Sequence, residues 1–258
     1  MRQNKIESGP GAVQRPGIRV LVLALVLALC ASGCAGWFGK KEEKSAGELA
    51  EEGAASFEAE KYDKALKSYE RLRDWYPYSP HAKEAKLRIA DAHFHLGQYD
   101  QALQAYQQYE QLHPNDSQIP YATYQMGMCH YERLRSIDRT QVPTRNALEV
   151  FLRLQSRFPD SQWARDAGEK IEKCRRNLAG HEFYVGEFYF KSEQYRAAMT
   201  RFETVVTQYP QVDEYTERAR RYMDLCSRHL PGDAPEQRPT MDGWVQLPPI
   251  EVGWEGVN

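Results

Sequence analysis

The segment Tyr99-Asp100-Gln101-Ala102-Leu103-Gln104-Ala105-Tyr106, followed by Tyr109 and Pro114, recurs along the chain. Upstream the same positions hold Tyr62, Ala65, Tyr69, Leu72 and Pro77, each displaced by 37 residues. Downstream the pattern returns as Ala147, Phe151, Leu154 and Pro159, and again as Tyr195, Ala198, Phe202, Val205 and Pro210. Spacings of four and three put the alanine and the larger residues on one face of a helix. The alanine admits a neighbouring helix at close range, and the proline stops the element. Copies at a period of about 34–40 residues predict stacked helical hairpins rather than one globular core.

The N-terminus has a different character. Arg2, Lys5, Arg15 and Arg19 precede an unbroken apolar run from Val20 to Leu29. Spanning a bilayer takes about 20 residues, so this run is too short; it has the length of a signal-peptide core. Ala31-Ser32-Gly33-Cys34 follows and resembles the bacterial lipobox, in which the cysteine is acylated and becomes the new N-terminus. Residues 1–33 therefore read as a signal peptide and 34–44 as a lipid-anchored tether with Cys34 carrying the acyl chains, palmitate among them. Ala35 and Gly36 follow Cys34, where an aspartate would signal retention in the inner membrane; this favours the outer membrane. Cys129, Cys174 and Cys226 remain. They fall in different repeats with no metal-binding spacing and read as helix-packing residues, with one disulfide left open.

Taken in order, helices are expected over about 46–59 and 62–75. The next is capped at Ser79-Pro80 and ends near Gly97, and another opens at Tyr99. Asn115-Asp116-Ser117 offers caps for the following one. The interval from Pro114 to Pro159 exceeds the preceding one by eight residues. The excess lies between Leu134 and Ala147, as an insertion over Arg135 to Thr144, with the next helix at about 145–157. Insertions of this kind map to a loop on one face of the stack, where function concentrates. Residues 163–191 read as one long helix or two kinked near Gly180, followed by helices at 196–208 and 213–229. The last is Arg-rich and reads as a solvating cap. The fold class is all-α, a solenoid of four to five hairpins: N-terminal repeats 1–2 over 45–118, C-terminal repeats 3–5 over 119–230. The tail at 231–258 has five prolines and two tryptophans, Trp244 and Trp254.

A formal charge of −2 leaves no basic stripe for nucleic acid. The seven histidines are scattered, and no phosphate loop, GxSxG elbow or HExxH is present. No metal, no cofactor and no enzymatic activity are expected.

The hairpin period resembles the tetratricopeptide repeat. The Lys/Asn carboxylate clamp of chaperone-binding repeats is missing: the matching positions are Ala50, Ala54, Leu87 and Asp91. Finer motifs resemble the BamD family, the tetratricopeptide lipoproteins of the outer-membrane β-barrel assembly machinery. They are Arg73-Asp74-Trp75-Tyr76-Pro77-Tyr78-Ser79-Pro80, Tyr124-Gln125-Met126-Gly127-Met128, Ile137-Asp138-Arg139 within the insertion, and the stretch from Asn177 to Tyr189, with Arg201 shortly before Tyr209-Pro210. The chain departs from the family at Val142-Pro143-Thr144 and in its tail.

The resemblance implies a lipid-anchored scaffold on the periplasmic face of the outer membrane of a Gram-negative bacterium. Its partners would be a BamA-like insertase, other assembly lipoproteins and unfolded outer-membrane proteins. The alternative is a lipoprotein that assembles a secretin or pilus or coordinates the cell envelope. The insertion at Asp138-Arg139 and the face bearing Arg201 are the candidate partner contacts; the plainer alternative is pairing between repeats. Phe57, Phe94 and His95, with Tyr76 and Tyr78 beside the proline turn, are candidates for a pocket that takes an extended peptide ending in an aromatic residue. For Phe57 and Phe94 the plainer alternative is packing between repeats.

Overall fold

A computed structural model describes residues 43–230. Nine α-helices and no strand occur among them: α1 Ala46–Glu58, α2 Tyr62–Trp75, α3 Ala82–His95, α4 Tyr99–Leu112, α5 Ile119–Tyr131, α6 Val142–Arg157, α7 Gln162–Lys191, α8 Tyr195–Gln208 and α9 Asp213–His229. Cys34, Trp244 and Trp254 lie outside the described residues. Each helix packs on the next, and α7 also touches α5 and α9. Four hairpins and a closing helix make a tetratricopeptide-type solenoid.

The repeated prolines set the hairpin exits. Tyr76, His113, Phe158 and Tyr209 each precede one, and all four leave their helix with φ of −128° to −136°. A residue before proline is pushed out of the helical region. Within hairpins one, two and four the turn uses a left-handed residue: Glu60, Gly97 and Glu193, with φ of 56°, 71° and 60°. The third hairpin has the insertion in that place.

Four core clusters run along the stack, each joining a hairpin to the helix that follows it. Ala65, Ala102, Ala147 and Ala198 are fully buried, and Tyr106, Phe151 and Phe202 are their buried ring partners one turn on. Opposite the rings stand small residues of the first helix: Gly53 against Tyr69, Gly127 against Phe151 and Gly186 against Phe202.

Several boundaries differ from the sequence expectation. Ser79 does not cap α3; its hydroxyl accepts the His81 N–H in a turn, and the helix starts at Ala82. Asp116 likewise accepts the Gln118 N–H at 2.8 Å before α5 begins. The helix α6 begins at Val142, three residues earlier than expected, with Pro143 in its first turn. The insertion loop is accordingly 132–141. The long segment is a single helix, α7, of 30 residues, capped where expected by the Ser161 hydroxyl, which accepts the Ala164 N–H. Gly180 makes no break in it. The residue is small because Tyr215 and Ile137 press on it: a Cβ there would lie 2.9 Å and 3.0 Å from them.

Cys129, Cys174 and Cys226 are free and buried. Burial pushes the thiols of Cys129 and Cys174 up to about 12, so they stay protonated and unreactive. On α9, Thr216, Ala219 and Cys226 face inward, while Arg221 and Arg228 pair with Glu217 and Asp224 on the outside.

Candidate partner-binding surfaces

The insertion is fastened to α7 by side chains. Asn177 Nδ2 donates to the Arg135 carbonyl at 2.9 Å, to Gln141 Oε1 at 3.0 Å and to Thr144 Oγ1 at 3.3 Å. Gln141, 1% exposed, donates to the Ser136 and Arg139 carbonyls at 2.9 Å each. His181 Nδ1 meets the Ile137 carbonyl at 2.6 Å, so that nitrogen carries the proton. At the tip, the Ser136 hydroxyl bonds Asp138 and holds its carboxyl below the usual range. Arg139 lies 3.5 Å from Asp138 with its side chain 73% exposed.

On the C-terminal face, Arg201 Nη1 donates to Glu182 of α7 at 2.9 Å. The pair is lopsided: the glutamate is largely covered and the guanidinium half-open. Arg201 also lines a cleft of about 900 Å³ with Tyr189, Tyr195, Arg196 and Leu230. Its fixed guanidinium keeps donors free, since a planar fork has five.

At the other end of the stack, Phe57, Phe94 and His95 do come together. His95 stacks on Tyr62 at 4.5 Å between centroids and meets the rings of Phe57 and Phe94 edge-on at 5.4 Å and 5.9 Å. Phe57 and Phe94 are half-buried against their cores, and His95 is exposed. Tyr76 packs on the same core as Phe57. Tyr78 stands apart, 99% exposed.

A second N-terminal feature escaped sequence reasoning. Asp91, at a position read as an empty clamp site, is 2% exposed. It accepts the hydroxyls of Tyr106 at 2.6 Å and Tyr121 at 2.8 Å, and Arg88 at 3.2 Å. Burial pushes its carboxyl up; the two hydroxyls and the guanidinium pull the other way. The network underlies a cleft of about 450 Å³ walled by Arg88, Tyr109, Tyr121 and Trp163. Trp163 closes it from α7, its ring 4.9 Å from Tyr121. The available signal was a lone acid between Ala90 and Ala92, with tyrosines 15 and 30 residues on.

The family described as YfiO, outer membrane lipoprotein, matches residues 42–237. The chain belongs to that family. Among curated relatives, "Outer membrane protein assembly factor BamD" of Caulobacter vibrioides is 28% identical over 191 residues, 72% of this chain and 63% of that protein. The chain thus spans less than two thirds of that relative. The protein of the same name from Neisseria meningitidis serogroup A is 29% identical over 225 residues, 82% of this chain and 84% of the other. A solved tetratricopeptide protein of Thermus thermophilus shares 15% identity with a TM-score of 0.39, over 69% of this chain and 99% of that one.

The family match takes in all nine helices, the insertion and both clefts; Trp244 and Trp254 lie beyond it. No helix among the described residues is long and apolar enough to cross a membrane. Among the same residues no group of three or more His, Cys, Asp or Glu is placed to hold a metal ion.

Proposed function

We propose that this chain is a lipid-anchored scaffold of outer-membrane protein assembly. Cys34 would tether it to the periplasmic face of the outer membrane. Its C-terminal hairpins, residues 119–230, would hold a BamA-like insertase through Asp138-Arg139 and Arg201. Its N-terminal hairpins, residues 45–118, would receive unfolded outer-membrane proteins at the aromatic group of Phe57, Phe94 and His95, flanked by Tyr76 and Tyr78. Other assembly lipoproteins would join the same complex.

The observation that carries this reading is the family match over the whole solenoid. The surfaces support it chemically. Exposed arginines on a fixed backbone suit protein contacts, and aromatic walls suit an extended peptide with a bulky end. Copurification from detergent-solubilised outer membranes tests it. The insertase is expected as the main partner; a secretin or pilus component in its place would overturn the reading.

A further inference from the structure

The loop 132–141 has no helix of its own, yet its backbone carbonyls are satisfied almost in sequence. Arg135, Ser136, Ile137 and Arg139 each present a carbonyl to a side chain of α7 or to Gln141. Gly180 lets the loop lie close on α7, with Ile137 Cγ2 only 3.0 Å from where a Cβ would stand. The loop backbone is thus turned to the helix, and Arg135 and Arg139 are exposed. They flank an open recess of about 650 Å³ with Leu134, Ser136 and Thr140. Arg135 has no acidic partner among the described residues, and Arg139 has only its chain neighbour Asp138. Two guanidinium groups, the Thr140 hydroxyl and one apolar wall suit a carboxylate side chain with its backbone. The recess is much larger than one inorganic anion.

We propose that Asn177, Gly180 and His181 are positioning residues. They hold the insertion as a preformed cationic knuckle in which Arg135 and Arg139 receive a carboxylate from an acidic protein surface. A loop already ordered before contact loses less freedom on binding. The proposal rests on the reading of the insertion as a partner face.

The test titrates the full chain, in detergent, with the purified periplasmic region of the same bacterium's BamA-like insertase. Arg139→Glu reports on the parent reading: unchanged affinity would overturn it and the knuckle together. Asn177→Ala is expected to weaken binding roughly tenfold, on the scale of one or two hydrogen bonds. It should also speed amide exchange at 136–140 and leave the α7 amides protected. Gly180→Ala, placed in a Tyr215→Phe background, pushes Ile137 outward and is expected to weaken binding to a similar degree. Adding Ile137→Ala should restore it, which no general loss of stability would allow. Should Arg139→Glu weaken binding while Asn177→Ala and Gly180→Ala leave it intact, the positioning role is wrong and the parent reading stands. Loss of binding to anionic lipid vesicles alone, with insertase binding unchanged in Arg139→Glu, would assign the knuckle to a membrane surface and overturn the proposal.

Discussion

Gly127 faces the ring of Phe151 so closely that a Cβ built on it would lie 2.4 Å from Cε1. The same approach occurs at Gly53 with Tyr69 and at Gly186 with Phe202, at 2.7 Å each. A backbone against a ring is what closes each of these hairpins. Gly127→Ala therefore costs stability, on the order of 1–3 kcal/mol for overpacking a filled core. That outweighs the roughly 1 kcal/mol that alanine gains over glycine within a helix. Gly168 gives the contrast: nothing lies within 4 Å of its would-be Cβ. Gly168→Ala should stabilise by up to about 1 kcal/mol. Urea unfolding of both variants checks the opposite signs.

The Asp91 network makes a second stability prediction. Removing the acid leaves Arg88 and two covered hydroxyls without their shared acceptor. Asp91→Ala should cost about 2–4 kcal/mol, from two covered hydroxyls left unpaired while Arg88 keeps Glu84, and Tyr106→Phe less, about 1–3 kcal/mol. Denaturant melts compare the two directly. Retained stability in Asp91→Ala would mean the network is not a structural unit.

Acid should weaken the fold in two stages. Burial, with Lys86 near His113 and Arg133 near His130, holds both imidazoles below their ordinary range. The unfolded chain then binds more protons than the folded one once pH falls below about 6.5. Stability is full above that pH and declines toward the lower folded values. Asp116, held down by its hydrogen bond from Lys83, adds a further loss below about 4. The melting temperature should fall between pH 7.5 and 5.5, and the double variant His113→Gln, His130→Gln should flatten that part of the curve.

The anchor is tested by fractionation. One acyl chain binds a membrane only marginally, while two or more hold it stably. Cys34→Ala should appear in the soluble periplasmic fraction. A variant that stays with the membranes after salt and urea washing contradicts acylation at that residue.

The repeating elements were legible in the sequence because their cause is local. Tyr62, Tyr99 and Tyr195 open their helices where the period puts them, and the prolines close them. Gly97 announces its turn, but Glu60 and Glu193 take the same left-handed conformation without a glycine to signal it. The third hairpin was legible only in outline. Its loop depends on Asn177 reaching back 42 residues to Arg135, and on Gln141, which looks like a surface residue and is buried. Such long-range hydrogen bonds leave no periodic trace, so the start of α6 was placed three residues late, and the choice between one long helix and two kinked near Gly180 stayed open. Arg201 was a candidate partner contact with pairing between repeats as its alternative, and its bond to Glu182 across α7 and α8 is not visible in the sequence. Asp91 was seen only as a departure from the clamp pattern, because the tyrosines it binds come from α4 and α5.

The central claim is that the two ends of one scaffold serve different partners. Site-resolved photocrosslinking in outer-membrane vesicles tests it most directly, with a photoreactive residue at Tyr78, His95, Arg139 or Arg221. An outer-membrane protein peptide ending in its aromatic signal should label Tyr78 and His95, and the insertase should label Arg139. Arg221, on the outer side of α9, should take little of the peptide. Equal peptide labelling at Arg221 and Tyr78, or labelling unaffected by removing the terminal aromatic, would contradict the account.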